Sequence, residues 1–166
     1  MNKKILRIFV TILALAMFAV PVMAKPTETE VTYIGPWTMD MIYPKIVFCG
    51  ESGNSLVKSY VEGEIINLAT MQHEFDYVQE GKVTTNGKTL VMEWHFKQLW
   101  TKVGDPDSGF KGTLNGKGNY LPGSMPPYTF DVSGVFNGFG EFNGQKLIVE
   151  LGAATGWTIK GILVTK

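Results

Sequence analysis

FKGTLNGKGNYLPGSMPPYTFDVSGVFNGFGEFNGQKLIVELGAATGWTIKGILVTK, Phe110 to Lys166, alternates apolar and polar residues with period two, and glycine recurs on its apolar side. Side chains alternate across a strand, so Phe110, Gly112, Leu114, Gly116, Gly118 and Tyr120 share one face. Tyr128, Phe130, Val132, Gly134, Phe136, Gly138, Gly140 and Phe142 repeat the pattern. An antiparallel sheet with one wet face has this alternation. Leu121 to Pro127 cannot be sheet interior and must turn the chain. Folding about it sets Tyr120 against Tyr128, Gly118 against Phe130, Gly116 against Val132, Leu114 against Gly134, Gly112 against Phe136 and Phe110 against Gly138. Each pair after the first places glycine under a large side chain, which fills the missing volume. Asn143-Gly144 reads as a two-residue hairpin with Glu141 opposite Lys146 and Gly140 opposite Leu147. Leu147, Val149 and Leu151 then point inward. Gly152 to Gly156 returns the chain, and Trp157, Ile159, Gly161 and Leu163 point inward again. That makes four consecutive antiparallel strands.

Met71 to Thr85 and Lys88 to Lys102 repeat the arrangement around Asn86-Gly87, a hairpin signal. Pairing Thr85 with Lys88 sets Tyr77 opposite Phe96, Gln79 opposite Trp94, Phe75 opposite Gln98 and His73 opposite Trp100. On the other face it sets Asp76 against Lys97 and Val78 against His95. One face is aromatic and the other charged. Fifteen residues at about 3.4 Å each reach roughly 50 Å, so a bend or bulge is expected near Gly81. Asp105 to Gly109 reads as a turn. Upstream, Val31 to Ile34, Lys45 to Cys49 and Leu56 to Ile66 are strands, and the last puts Val57, Val61 and Ile65 on its apolar side. Lys25 to Glu30 is polar and expected to fray. The fold class is therefore all-β: a small antiparallel up-and-down barrel of seven to nine strands, with a β-sandwich as second choice. Closure removes exposed edges, which favours the barrel.

Residues 1–24 carry a basic start (Lys3, Lys4, Arg7), an apolar run from Ile8 to Val20, and Val22-Met23-Ala24 as a small-residue cleavage site. This is the pattern of a secretory signal peptide; an uncleaved anchor is the alternative. Residues 25–166 then form a single β domain, placed outside the cell, in the periplasm or in the envelope, with no stable membrane insertion after cleavage. The mature segment keeps twelve basic residues against fifteen acidic ones, a net charge of about −3. No run of basic residues stands out in the sequence, so nucleic acid is not an expected partner. The one cysteine, Cys49, lies in an apolar run and reads as a small core residue.

Gly35-Pro36-Trp37, ahead of this series of antiparallel strands, resembles the opening Gly-x-Trp motif of lipocalins. The resemblance implies a tryptophan closing the barrel base beneath an arginine from a late strand. The mature segment contains no arginine, and Lys160 is the one candidate substitute. Barrels of the allene oxide cyclase type fit the strand pattern equally well.

Chemistry is sparse. His73, Glu74, Phe75 and Asp76 on a regular strand would point His73 away from both carboxylates. Glu93 and His95 share the wet face. Zinc needs three or four converging ligands, so no metal is expected. No cofactor is implied, and no catalytic residue is assigned. The polar residues of the expected core are Ser59, His73, Gln79 and Gln98. Either they bond one another, which we favour, or they line a cavity with the aromatic face. The candidate ligand-binding set is His73, Phe75, Tyr77, Gln79, Trp94, Phe96, Gln98 and Trp100. The expected function is a secreted, non-enzymatic module binding a small apolar or aromatic ligand. The alternatives are an isomerase or cyclase using the same cavity with His73 as acid or base, and an envelope structural or interaction protein without a ligand. On the outer face, the expected register puts Phe139 opposite Ile148, with Val135, Ile162 and Val164 nearby. That patch is expected to pack against a second copy or against Val31 to Pro44.

Overall fold

The computed structural model describes residues 25–35, 40–41, 45–49, 52–121, 123, 128–152 and 158–165. The expected signal segment, Trp37 and Trp157 lie outside the described residues, as does the side chain of Cys49. Among the described residues, ten strands form one antiparallel sheet: β1 (Thr27–Ile34), β2 (Asp40–Met41), β3 (Lys45–Cys49), β4 (Asn54–Asn67), β5 (Gln72–Thr85), β6 (Val91–Lys102), β7 (Asp105–Tyr120), β8 (Tyr128–Phe139), β9 (Lys146–Gly152) and β10 (Ile159–Thr165).

From β3 to β10 each strand pairs with the next in sequence, and β1 pairs with β10 along its length. The ring closes where Tyr33 and Ile34 of β1 meet Asn67 and Ile66 of β4. β2 and β3 continue up the same edge of β4, at Glu62–Val61 and at Lys58–Asn54. The segments β1, β2 and β3 thus act as one interrupted strand, and the barrel has eight staves. One row of cross-strand partners runs Thr32, Lys160, Glu150, Ser133, Asn115, His95, Lys82 and Lys58. It starts where the Thr32 carbonyl accepts from the Leu68 N–H and ends ten residues away at Lys58. That offset is the stagger that tilts strands in a closed barrel.

The register of β7 with β8 is the expected one, from Tyr120 opposite Tyr128 to Phe110 opposite Gly138. The glycines are there for space. A Cβ on Gly116 would lie 2.7 Å from Val132 Cα and closer still to the Asp131 carbonyl oxygen, and one on Gly112 would strike the Phe136 ring. The inward set is buried as expected. Ile65, Phe75, Trp100, Phe110, Leu114, Phe136, Leu147 and Val149 are essentially inaccessible, and Val61, Tyr77, Val83, Phe96, Val132 and Ile159 nearly so.

Two hairpins differ from expectation. In β5–β6, Tyr77 faces Trp100, Gln79 faces Gln98 and Lys82 faces His95, four residues out of the expected register. The Asn86 side chain accepts from the Lys88 and Thr89 N–H groups, and Leu90 takes a left-handed φ of 58°. A five-residue loop results, in which Gly87 is held against Gly53 and Asn54 instead of turning the hairpin. In β8–β9 the shift is again four: Val135, not Phe139, faces Ile148. Here Gly140–Phe142 forms a short 3-10 turn, followed by a tight turn at Asn143 and Gly144. The turn swings Phe142 against Phe110 and Phe75, with ring centroids 4.7 and 5.9 Å apart, and so plugs the barrel base. A shift of four preserves parity, so every inward face survives both corrections.

The irregularities also sit elsewhere than expected. Gly81 pairs without a break, its missing Cβ replaced by the Phe96 ring. The bulges are at Glu74 in β5 and at Pro106–Ser108 in β7, so Asp105 begins a strand, and the preceding turn is at Val103–Gly104. Thr27–Glu30 is exposed yet paired with Thr165–Ile162. Val31–Ile34 is part of the same strand and lies beside β10 as its ladder neighbour, not over its outer face.

Candidate functional site

The interior begins with aromatic rings. Tyr33, Phe75, Trp100, Phe110 and Phe136 contact one another edge-on or tilted, with centroids 5.3–6.1 Å apart. Such spacing is that of a packed core. Above them lie the polar residues that the register brings together. Gln98 donates through Nε2 to Gln79 Oε1 (2.8 Å) and to the Tyr77 hydroxyl (3.1 Å). Its Oε1 accepts from Trp100 Nε1 at 3.2 Å, and the Tyr77 hydroxyl donates to Gln79 Oε1. Both Gln98 amide protons, the Trp100 indole proton and the Tyr77 hydroxyl therefore have partners inside the barrel. Burial pushes the Tyr77 hydroxyl well above the usual tyrosine range, and burial, aided by the Glu74 charge, does the same to Tyr33. Both hydroxyls stay neutral.

Of the eight candidate residues, seven face the interior. Phe75, Tyr77, Phe96, Gln98 and Trp100 are buried; Gln79 and Trp94 are half-buried. His73 is the exception. Ile65 pairs with Phe75 but Ile66 pairs with His73, so Glu74 is an extra residue in β5. An extra residue inverts the alternation, and His73 turns to the outer face. There its Nε2 donates to the Phe75 carbonyl at 3.1 Å and lies 3.1 Å from Asp76 Oδ1, while Nδ1 is 4.0 Å from Glu64. The expectation that His73 lines the interior, and that it cannot meet Asp76, is corrected on both counts. Glu74 accepts from Asn67 Nδ2 at 2.8 Å. Among the described residues, no three His, Cys, Asp or Glu side chains are placed to hold a metal ion.

At the opposite end from the Phe142 plug, Trp94, Met92, Phe130 and Val57 pack on the core but are only half-buried. Trp94 stacks on Phe130 at 4.7 Å. Lys160, the one substitute for the arginine of the lipocalin pattern, is exposed on the outer face between Thr32 and Glu150.

The outer wall holds groups the sequence did not single out. Lys58, Lys82 and His95 are successive partners across β4, β5 and β6, and Lys97 stands two residues along β6. They line an open groove of about 450 Å³ with Ser59, Tyr60 and Glu80. A contiguous groove of about 580 Å³ shares Lys82 and His95 and extends to Asn115 and Lys117. The lysines are far apart in sequence, and the expected register set Val78 against His95. With Lys82 in that place, the basic row would have been visible. No protein-family model, curated protein or solved structure matches this chain.

Proposed function

We propose that this chain is an exported, non-enzymatic interaction module, in which the barrel interior is a structural core and recognition belongs to the outer wall. The observation that supports this reading is the closed network of Tyr77, Gln79, Gln98 and Trp100 above a fully buried aromatic cluster. A ligand site needs polar groups that a ligand can satisfy; here the Tyr77 hydroxyl, the Gln98 amide and the Trp100 indole N–H are satisfied within the network. The isomerase reading loses its acid or base, because His73 lies outside the barrel. An outer-membrane barrel has an apolar outer wall and a polar interior. Here the apolar side is inward, and Lys58, Lys82, Lys97, Glu93 and Lys117 face outward.

The half-buried Trp94, Met92 and Phe130 favour a second reading, a small apolar ligand capping the open end of the core. Titrating residues 25–166 with the neutral apolar dye Nile red, while following tryptophan emission, separates the two. The interaction-module reading expects no saturable change. A saturable change that is lost in Trp94→Ala and kept in Trp100→Phe would establish the ligand reading in its place.

A further inference from the structure

The basic row on the β4–β6 wall is an electrostatic misfit in the isolated chain. Like charges directly opposite on neighbouring strands destabilise a sheet, yet Lys58 faces Lys82. Neighbouring strands are about 4.8 Å apart, so the row spans about 10 Å. The chain neutralises it only in part. Among the described residues, Lys58, Lys82 and Lys97 make no ion pair within 4.0 Å. One carboxylate, Glu80, lies in the groove opposite Lys97, leaving Lys58 and Lys82 facing each other; Glu93 pairs with Lys117 at 3.3 Å, and Glu62 accepts from the Tyr60 hydroxyl at 2.7 Å. His95 is held in place by the Asn115 side chain.

We propose that this groove binds a linear acidic polysaccharide, a sugar chain carrying carboxylate or sulfate groups. Charge complementarity requires an anion, and the shape and lining select among anions. The two grooves are open and contiguous across four strands, which suits a chain passing over the wall. Tyr60 and Asn115 offer ring and amide groups that match sugar faces and hydroxyls. A bilayer would need apolar side chains to enter it, and Leu99 is the one large exposed apolar residue described on this wall. A densely charged polyphosphate would be repelled at long range by the net charge of about −3 on residues 25–166. A sparsely charged polymer meets the local cations at little such cost. The site rests on the reading that recognition belongs to the outer wall, but a failure to bind here leaves the packed interior, which the dye titration probes, untouched.

Isothermal titration calorimetry of residues 25–166 tests it, with polygalacturonate and the sparsely charged hyaluronate as ligands and neutral dextran as control. Phosphatidylglycerol vesicles and a single-stranded oligonucleotide are the competing anions. Saturable binding is expected to at least one acidic polymer and not to dextran. Raising salt from about 50 to about 200 mM should weaken it about tenfold. The Lys58→Gln/Lys82→Gln double variant, checked for native circular dichroism, should bind at least about tenfold more weakly. Lys160→Gln, on the far wall, should bind as wild type does. Lys97→Gln supplies an independent reading if the double variant does not fold. Absence of binding to both polymers, unchanged affinity in the variants, or tighter binding to vesicles or oligonucleotide would each overturn the proposal.

Discussion

Tyr33 and Tyr77 carry hydroxyls into the barrel, and both are held neutral chiefly by burial. Tyr60 is also raised, but by its hydrogen bond to Glu62 on the surface, where it can ionise without disturbing the core. For the two buried residues the folded-state pKa lies above the unfolded one. Their contribution to stability is therefore full below the unfolded tyrosine value of about 10 and is lost as pH rises above it. In an alkaline titration followed by ultraviolet absorbance and circular dichroism, the exposed tyrosines should ionise first and reversibly. Tyr33 and Tyr77 should ionise only as the β-sheet signal collapses. A single reversible phase for all tyrosines, with the fold intact, would show that these hydroxyls are not enclosed. The residue scale is also where the sequence misled most. His73 was legible as part of an aromatic strand, but its orientation depends on one extra residue, Glu74, and a bulge leaves no trace in an apolar alternation.

Among the elements, strand faces were legible and loop geometry was not. The inward set of β7 and β8 follows from parity alone, and the glycine-to-ring pairing fixed their register. Both Asn-Gly pairs signalled turns correctly but not their lengths. Asn86 spends its side chain on two following N–H groups, and Gly140–Phe142 is drawn to the barrel base by aromatic contact, a tertiary effect. The β7–β8 pairing yields a direct test. A Cβ on Gly116 would meet backbone atoms of Asp131 and Val132, which no side-chain rotation can relieve. Gly116→Ala should therefore lower stability by at least about 1–3 kcal/mol, the usual range for overpacking, read as a shift in the urea unfolding midpoint. An unchanged midpoint would mean that Gly116 does not lie over Val132.

In the ring of eight staves, β5 and β9 are diametrically opposite, so the basic row centred on Lys82 and the apolar row centred on Ile148 occupy opposite walls. Val135, Ile148 and Ile162 are consecutive cross-strand partners on β8, β9 and β10, and are 48%, 40% and 37% exposed. The sequence pointed to this wall but named Phe139 in place of Val135, because of the four-residue shift. We propose that a second copy covers it. A two-fold axis along the row would stack each of the three residues on its own copy. The same operation reverses strand direction, so Lys146, two residues before Ile148, would face the partner's Glu150, two residues after it. An axis along the strands would instead oppose Lys146 to itself. Full burial of such a side chain is worth about 1.5–3 kcal/mol. With somewhat under half of each exposed, six side chains yield about 4–7 kcal/mol, and surface ion pairs add about 0–1 each. The cost of association is about 4–15 kcal/mol. Only at the low end of that cost does the balance favour association, by at most about 5 kcal/mol, so the dimer is weak, with a Kd of about 0.2–1 mM, and its two basic grooves face outward on opposite sides. Sedimentation equilibrium of residues 25–166 across that range should show it. Ile148→Lys should give a monomer with unchanged circular dichroism. Lys146→Glu should weaken association, and adding Glu150→Lys should restore it, since the swap rebuilds the pairing only under the proposed axis. A wild type that stays monomeric throughout, or a swap that restores nothing, would mean that this wall is not joined in this way.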